Sequence, residues 1–199
     1  MGAVLCLTRE LVHDLLGEQR FLLFSHEFSH LLDRAHHHWV ERTQAEEDSS
    51  FKQVIPYAVL LRATGDPSGL EVFVYQRRGG EEGRLEGLWS LGVGGHIEEF
   101  DGDYWQAFER ELAEEVVIEG EHRHQILGLV HDESTPVGRV HVGVVHLVWI
   151  QAGGTVRARE ACLAGGRFLS RSCLSDQDRE WESWSRILIE QFFHQGGRG

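Results

Sequence analysis

Apolar positions follow two rhythms along the chain. Runs rich in branched and aromatic residues predict strands at Ala3–Thr8, Val54–Ala63, Leu70–Arg77, Trp89–Val93, Gln125–His131 and Arg139–Ile150. Spacings of three and four predict helices over Glu10–Leu16, Phe28–Ala35 and, most strongly, from Tyr104 onward, where Trp105, Phe108, Leu112 and Val116 form one stripe. Asp101 and Asp103 stand where negative charge favours the N-terminus of that helix. A closing helix is expected after Ser175, where Ser175-Asp-Gln-Asp178 reads as a capping box and Trp181, Trp184, Leu188 and Phe192 supply an apolar stripe. The turn Thr64–Gly69 makes a hairpin of the second and third strands, and Asp132–Gly138 joins the last two. Strands and helices are interspersed, so the class is α/β or α+β, with a mixed sheet packed between helices.

Composition narrows what such a domain does. The 199 residues are 41% hydrophobic and 26% charged, enough for one globular core. Asp and Glu outnumber Lys and Arg by 32 to 19, a formal charge of −13, which argues against gripping nucleic acid through its phosphates and implies that an anionic ligand needs a metal bridge. The opening Met1–Leu7 lacks the basic flank of a secretion signal, and Cys6 stands where a myristoylation pattern needs Ser or Thr. No apolar stretch reaches the roughly 18 residues of a membrane span. Cys6, Cys162 and Cys173 fit neither a disulfide framework nor a zinc spacing. The expectation is a cytoplasmic protein with no membrane partner.

Candidate chemistry concentrates on the helix from Tyr104. Glu111, Glu114 and Glu115 are spaced i, i+3 and i+4, which brings their carboxylates to one helix face. Like charges at this spacing cost a few tenths of a kcal/mol per pair, so a cation is the natural offset. Mg²⁺ takes oxygen ligands, keeps waters and bridges to substrate phosphates. Arg110 is placed to orient one of these carboxylates through a bidentate pair, and the carbonyls of Gly94-Gly95 offer a further oxygen. The bland alternative is a solvated acidic face.

The segment Gly94-Gly95-His96-Ile97-Glu98-Glu99, continued by Arg110-Glu111-Leu112-Ala113-Glu114-Glu115, resembles the Nudix box, G-x5-E-x7-R-E-U-x-E-E-x-G-U, where U is bulky and apolar. Its R-E-U-x-E-E half matches at every specified position. A longer stretch, including Gln53–Tyr57, Tyr75–Arg78, Glu82–Leu85 and Leu88–His96, is similar to a bacterial branch of Nudix proteins described as predicted phosphoesterases, over about Phe51 to Phe193. The resemblance implies a Nudix-type α/β/α sandwich over 51–195, with 1–50 an extension packed on it. It also implies that water attacks phosphorus in a nucleoside diphosphate derivative, most readily a nucleoside di- or triphosphate cleaved toward the monophosphate, with Mg²⁺ or Mn²⁺.

By the same resemblance, Glu111, Glu114, Glu115 and Gly95 hold the metal, and Glu111, Glu115 and Arg110 form the catalytic set. Glu133, Glu160, Glu180 and Glu182 are candidates for a further base on a later loop. Arg77, Arg78 and Arg84 are candidate phosphate contacts, and His96, beside the glycine turn, is a candidate substrate contact. Trp89, Tyr75 and Phe100 are able to stack on any base, so they leave base preference open. Two departures stand out. Counting back from Arg110 puts the box's first Glu on Gly102, and Gly95 to Arg110 is one residue too long, so Glu98, Glu99, Asp101 or Asp103 replaces that acid. The box's late Gly falls on Val117, so the helix is expected to run on toward Gly120. These irregularities keep a rival open, a Nudix domain that binds nucleotide with little turnover; an isomerase on the same fold is a weaker third reading.

A second motif competes. His26-Glu27-Phe28-Ser29-His30 matches the H-E-x-x-H of zinc proteases, with His36 where a third ligand would fall and Asp33 where that pattern needs Gly. With 13 histidines in the chain a chance match is unsurprising, and a protease reading leaves the later half unexplained. His36-His37-His38 is an incidental metal-binding candidate. His141 and His146 sit five apart in one strand and so face opposite sides.

Overall fold

The computed structural model describes residues 2–25, 34–64, 69–79, 83–176 and 178–194. In chain order the elements are β1 (Ala3–Thr8), α1 (Arg9–Leu16), β2 (Phe21–Leu23), β3 (His38–Glu41), α2 (Arg42–Glu47), β4 (Phe51–Ala63), β5 (Leu70–Arg77), β6 (Trp89–Ser90) and β7 (Gly92–Val93). Then follow α3 (Tyr104–Glu115), β8 (Val116–Glu119), β9 (His122–Val130), α4 (Pro136–Val140), β10 (His141–Ile150), β11 (Thr155–Ala158), β12 (Leu163–Ser170) and α5 (Ser183–Leu188). This is a mixed α/β chain, as the interspersed pattern predicts. Packing divides it into two compact units, one of 1–57, 94–111 and 126–145, the other of 58–93, 112–125 and 146–199.

In the first unit, β1 pairs antiparallel with β3 (Val4↔Val40) and with the start of β4 (Cys6↔Gln53). Its alternation is buried on both faces. Leu5 and Leu7 join Val12 and Leu16 of α1 and Tyr104 and Ala107 of α3 in one cluster, while Val4 and Cys6 join Val40 and Ala45 in another. Thr8 caps α1 by accepting from the Leu11 N–H (3.3 Å), and Gly17 ends it at φ 53°. The strand order is β4-β10-β9-β2. Between β9 and β10, Thr135 caps the short α4 by accepting from Gly138 N, with Pro136 in its first turn. Lys52, the only lysine of the sequence, is fully buried; its Nζ donates to the Gly138 carbonyl (2.9 Å) and pairs with Glu133. Burial lowers its pKa, and the bond to Glu133 works against that shift.

In the second unit the order is β12-β5-β4, and β4 and β5 form the expected hairpin, with Leu61 opposite Val72. Tyr75 pairs with Ser90 of β6, and Val59 with Gly92 of β7. Three expectations need correction. The helix does not run on to Gly120, because α3 stops at Glu115 and Val116-Val-Ile-Glu119 pairs antiparallel with Thr155–Ala158; the β-branched run takes the ladder instead. The buried stripe of α3 is Tyr104, Ala107, Phe108, Glu111 and Leu112, which leaves Trp105 47% exposed. The closing helix begins at Ser183, not after Ser175. Glu182 there accepts from Ser90 Oγ (3.0 Å) and Ser185 Oγ (2.8 Å), and Ser185 Oγ accepts from Leu91 N (3.0 Å), so the start of α5 is hooked to the β6–β7 segment. Ser175 Oγ instead bonds His194 Nε2 at 2.7 Å. The expected helix over 28–35 falls mostly outside the described residues.

Candidate active site

In the first unit, the segment from Gly94 to Ile97 runs close against two neighbours. A β-carbon at Gly94, whose φ is +154°, would overlap the Pro56 carbonyl, and one at Gly95 would overlap the Glu111 carboxylate. Glycine at both positions therefore lets the helix carboxylate rest on the loop backbone. Leu5 N donates to the Ile97 carbonyl at 2.9 Å, so the N-terminal strand holds the same loop.

Arg110 organises this region. Its Nε and Nη2 donate to the two oxygens of Asp101 at 2.6 and 2.8 Å, its Nη1 donates to Glu111 at 2.8 Å, and Nη2 also donates to the His96 carbonyl at 2.9 Å. The bond to Asp101 is the main reason the guanidinium holds its proton even more firmly than an ordinary arginine. Asp101 is buried and also accepts from Glu98 N (2.7 Å). Of the four acids left open by the sequence, Asp101 is thus the one that meets Arg110. The extra residue is taken up by a tight turn over Glu99–Asp101 that ends on Gly102 at φ +79°. Asp103 does different work, accepting from Gln106 N (2.9 Å) at the first turn of α3.

His96 packs on His141, Nε2 to Nε2 at 3.4 Å with ring centroids 5.5 Å apart. Burial, then the charges of Arg42 and His141, bring the His96 pKa down to about 3, so it is neutral at physiological pH. Nothing in the sequence marks His141 as its partner, because 45 residues separate them and the two elements carry no shared motif. His146 is fully buried beside His124, with ring centroids 5.7 Å apart, in the second unit.

In the second unit, Glu114 is exposed and Glu115 half-buried at the end of α3. The Glu115 charge adds to the effect of burial in raising the pKa values of Tyr75 and of Cys162, the latter to about 11, while Arg77 opposes it at both. Tyr75 OH donates to the Gly92 carbonyl at 2.8 Å, and the Arg77 guanidinium lies 5.8 Å from the Tyr75 ring centroid. Arg78 is exposed. The Arg84 side chain and the His26, Glu27, His30 motif lie outside the described residues.

Three of the four later glutamates are already engaged through their carboxylates. Glu133 pairs with Arg9 (3.0 Å) and Lys52, Glu160 accepts from the Cys162 thiol (3.2 Å), and Glu182 is buried on its two serines. The Glu180 carbonyl accepts from Trp89 N at 2.8 Å. Among the described residues, no three His, Cys, Asp or Glu side chains stand together as a metal cluster. The donors of α3 and the Gly95 carbonyl are nonetheless all hard oxygens, which suits Mg²⁺ or Mn²⁺ and not a thiolate-preferring metal.

A model of the NUDIX domain matches residues 51–192. The chain belongs to the Nudix family. Protein YmaB of Bacillus subtilis (strain 168) is 36% identical over 162 residues, 76% of each chain. The crystal structure of Tm1382, named for a Nudix hydrolase, covers 97% of this chain and 99% of its own at TM-score 0.77 and 29% identity. The NUDIX domain of Shewanella oneidensis NrtR, solved with ADP-ribose, shares the fold at TM-score 0.51 and 20% identity, over 72% of this chain and 88% of that one. Nudix hydrolases act on phosphoanhydride bonds, generally in nucleoside diphosphate derivatives and with a divalent metal, and this chain is a hydrolase of that class. Among the described residues no helix is long and apolar enough to cross a membrane.

Proposed function

We propose that this Nudix hydrolase cleaves nucleoside di- or triphosphates toward the monophosphate, with Mg²⁺ or Mn²⁺ held by Glu111, Glu114, Glu115 and the Gly95 carbonyl. The observation that carries the reading is the Arg110 clamp, which fixes Glu111 against the loop of Gly95 and His96. Glu114 and Glu115 follow on the same helix face. When bound, the metal supplies an activated water and charge neutralisation on the leaving phosphate. The chain's own part is positional. Arg110 orients Glu111, Glu111 and Glu115 are the candidate bases, Arg77 and Arg84 bind phosphate, and His96 contacts the substrate. ADP-ribose, the ligand of the NrtR domain, belongs to the same chemical class as the proposed substrates.

The test is a panel of nucleoside di- and triphosphates with Mg²⁺ or Mn²⁺, scored for phosphate or pyrophosphate release in the native protein and in Glu115→Gln. That variant keeps shape and removes charge. A loss of at least about 100-fold in kcat is expected, roughly 2.7 kcal/mol of barrier. Unchanged turnover at saturating metal would overturn the assignment of Glu115, and no hydrolysis of any panel member would overturn the substrate class in favour of a binding domain. His26→Ala with His30→Ala leaves hydrolysis intact on this reading, whereas zinc-dependent peptide cleavage lost in that variant would restore the protease alternative.

A further inference from the structure

The histidine pair has a chemical direction built into it. His141 follows α4, and its Nδ1 lies 2.8 Å from the carbonyl of Val137, one of the last-turn carbonyls that an α-helix leaves without an internal donor. A carbonyl only accepts, so a neutral His141 carries its proton on Nδ1 and presents a lone pair at Nε2. Across 3.4 Å, that lone pair faces Nε2 of His96. Nε2 of His96 must then carry the proton, and its Nδ1 is left with a lone pair. The main chain of His96 is held separately by Arg110 at its carbonyl.

From this chain of donors and acceptors we infer that His141 is a positioning residue, which locks His96 into the tautomer whose Nδ1 accepts a hydrogen bond from a sugar hydroxyl of the substrate. The inference rests on the proposed nucleotide substrate and deepens it. A lone pair on the residue that follows Gly95 is unsuited to ionised phosphate oxygens, which are themselves acceptors. Within a nucleoside phosphate, the donor nearest the phosphates is a hydroxyl of the sugar. The role of His96 is thus selection and orientation, and it makes no change in the number of protons on the ring.

Two isosteric replacements separate the parts of this device. Asn at 141 places its amide where Nδ1 was and keeps the donor to Val137, but has nothing to accept from His96. Gln at 141 places its terminal oxygen near the former Nε2 and keeps the acceptor. In ¹⁵N-histidine-labelled full-length protein without nucleotide, long-range imidazole ¹H–¹⁵N spectra are expected to show His96 protonated on Nε2 alone in the native chain and in His141→Gln, and a mixture of tautomers in His141→Asn. Kinetically, His141→Asn is expected to raise KM about tenfold with kcat within twofold, and His141→Gln to restore it, in line with one lost hydrogen bond. His96 found protonated on Nδ1, or on both nitrogens, in the native chain would overturn the inference whether or not any nucleotide is hydrolysed. A fall in kcat with unchanged KM would overturn the hydroxyl contact. The expected tautomer in a protein that hydrolyses no panel member would leave the lock standing and sink the substrate reading alone.

Discussion

Asp101 and Arg110 show how much a single pair carries. The Asp101 side chain is 3% exposed and that of Arg110 22%, and the two meet through both Asp101 oxygens. Asp101→Asn leaves the guanidinium short of a charge partner in a largely desolvated place, so a loss of roughly 3 kcal/mol in unfolding free energy is expected from denaturant titration. Asp103→Asn weakens an exposed cap and should cost about 0.5 to 1 kcal/mol. Below the melting temperature, turnover of either variant should stay within about tenfold, a barrier change near 1.4 kcal/mol, because neither residue is assigned to the chemistry. A loss in either approaching that of Glu115→Gln, with circular dichroism unchanged, would show that the loop itself takes part in catalysis. The sequence narrowed the replacement acid to four and no further. Position along a chain does not say which of several neighbouring carboxylates a tight turn swings inward, and here the turn over Glu99–Asp101 does it.

At the scale of elements, the long runs were legible and the ends were not. The β4–β5 hairpin and the core of α3 follow from periodicity, since burial of one face decides both. The stop of α3 is not legible locally because its end is set by a partner strand, Thr155–Ala158, far along the chain. Similarly, α5 starts where Ser90 and Ser185 hold Glu182, and the local capping pattern at Ser175 has no such anchor. Strand β1 supplies residues to two apolar clusters of the first unit and the amide that holds Ile97. Leu5 is 2% exposed, so Leu5→Ala should cost about 2 to 4 kcal/mol by chemical denaturation. A change under about 1 kcal/mol would show that the extension is an appendage with little share in the core.

At the scale of the whole molecule, acid is the expected weakness. His146 is fully buried and, chiefly through desolvation, held near a pKa of about 3 from its ordinary 6.5; burial lowers His131 as well. For a histidine kept neutral by folding, the unfolded chain binds the extra proton. The share of stability that His146 contributes is therefore complete above pH 6.5 and declines as pH falls toward 3, by about 1.4 kcal/mol per pH unit. Unfolding free energies measured from pH 7 to 4 should fall along this slope, and His146→Gln should flatten it by about one histidine's share. A parallel decline in that variant would place the acid sensitivity elsewhere.

Lys52 turns the same interior into a reporter. It carries the chain's only ε-amine, and that amine is buried against Gly138 and Glu133. An acylating reagent therefore meets no lysine amine on the native surface. Each Lys52 that becomes labelled records a moment when the packing around it opened, so the labelling rate under native conditions is a clock for local unfolding. By the same token, enzymes that acylate or conjugate lysine side chains find their one target in this chain only after it has come apart.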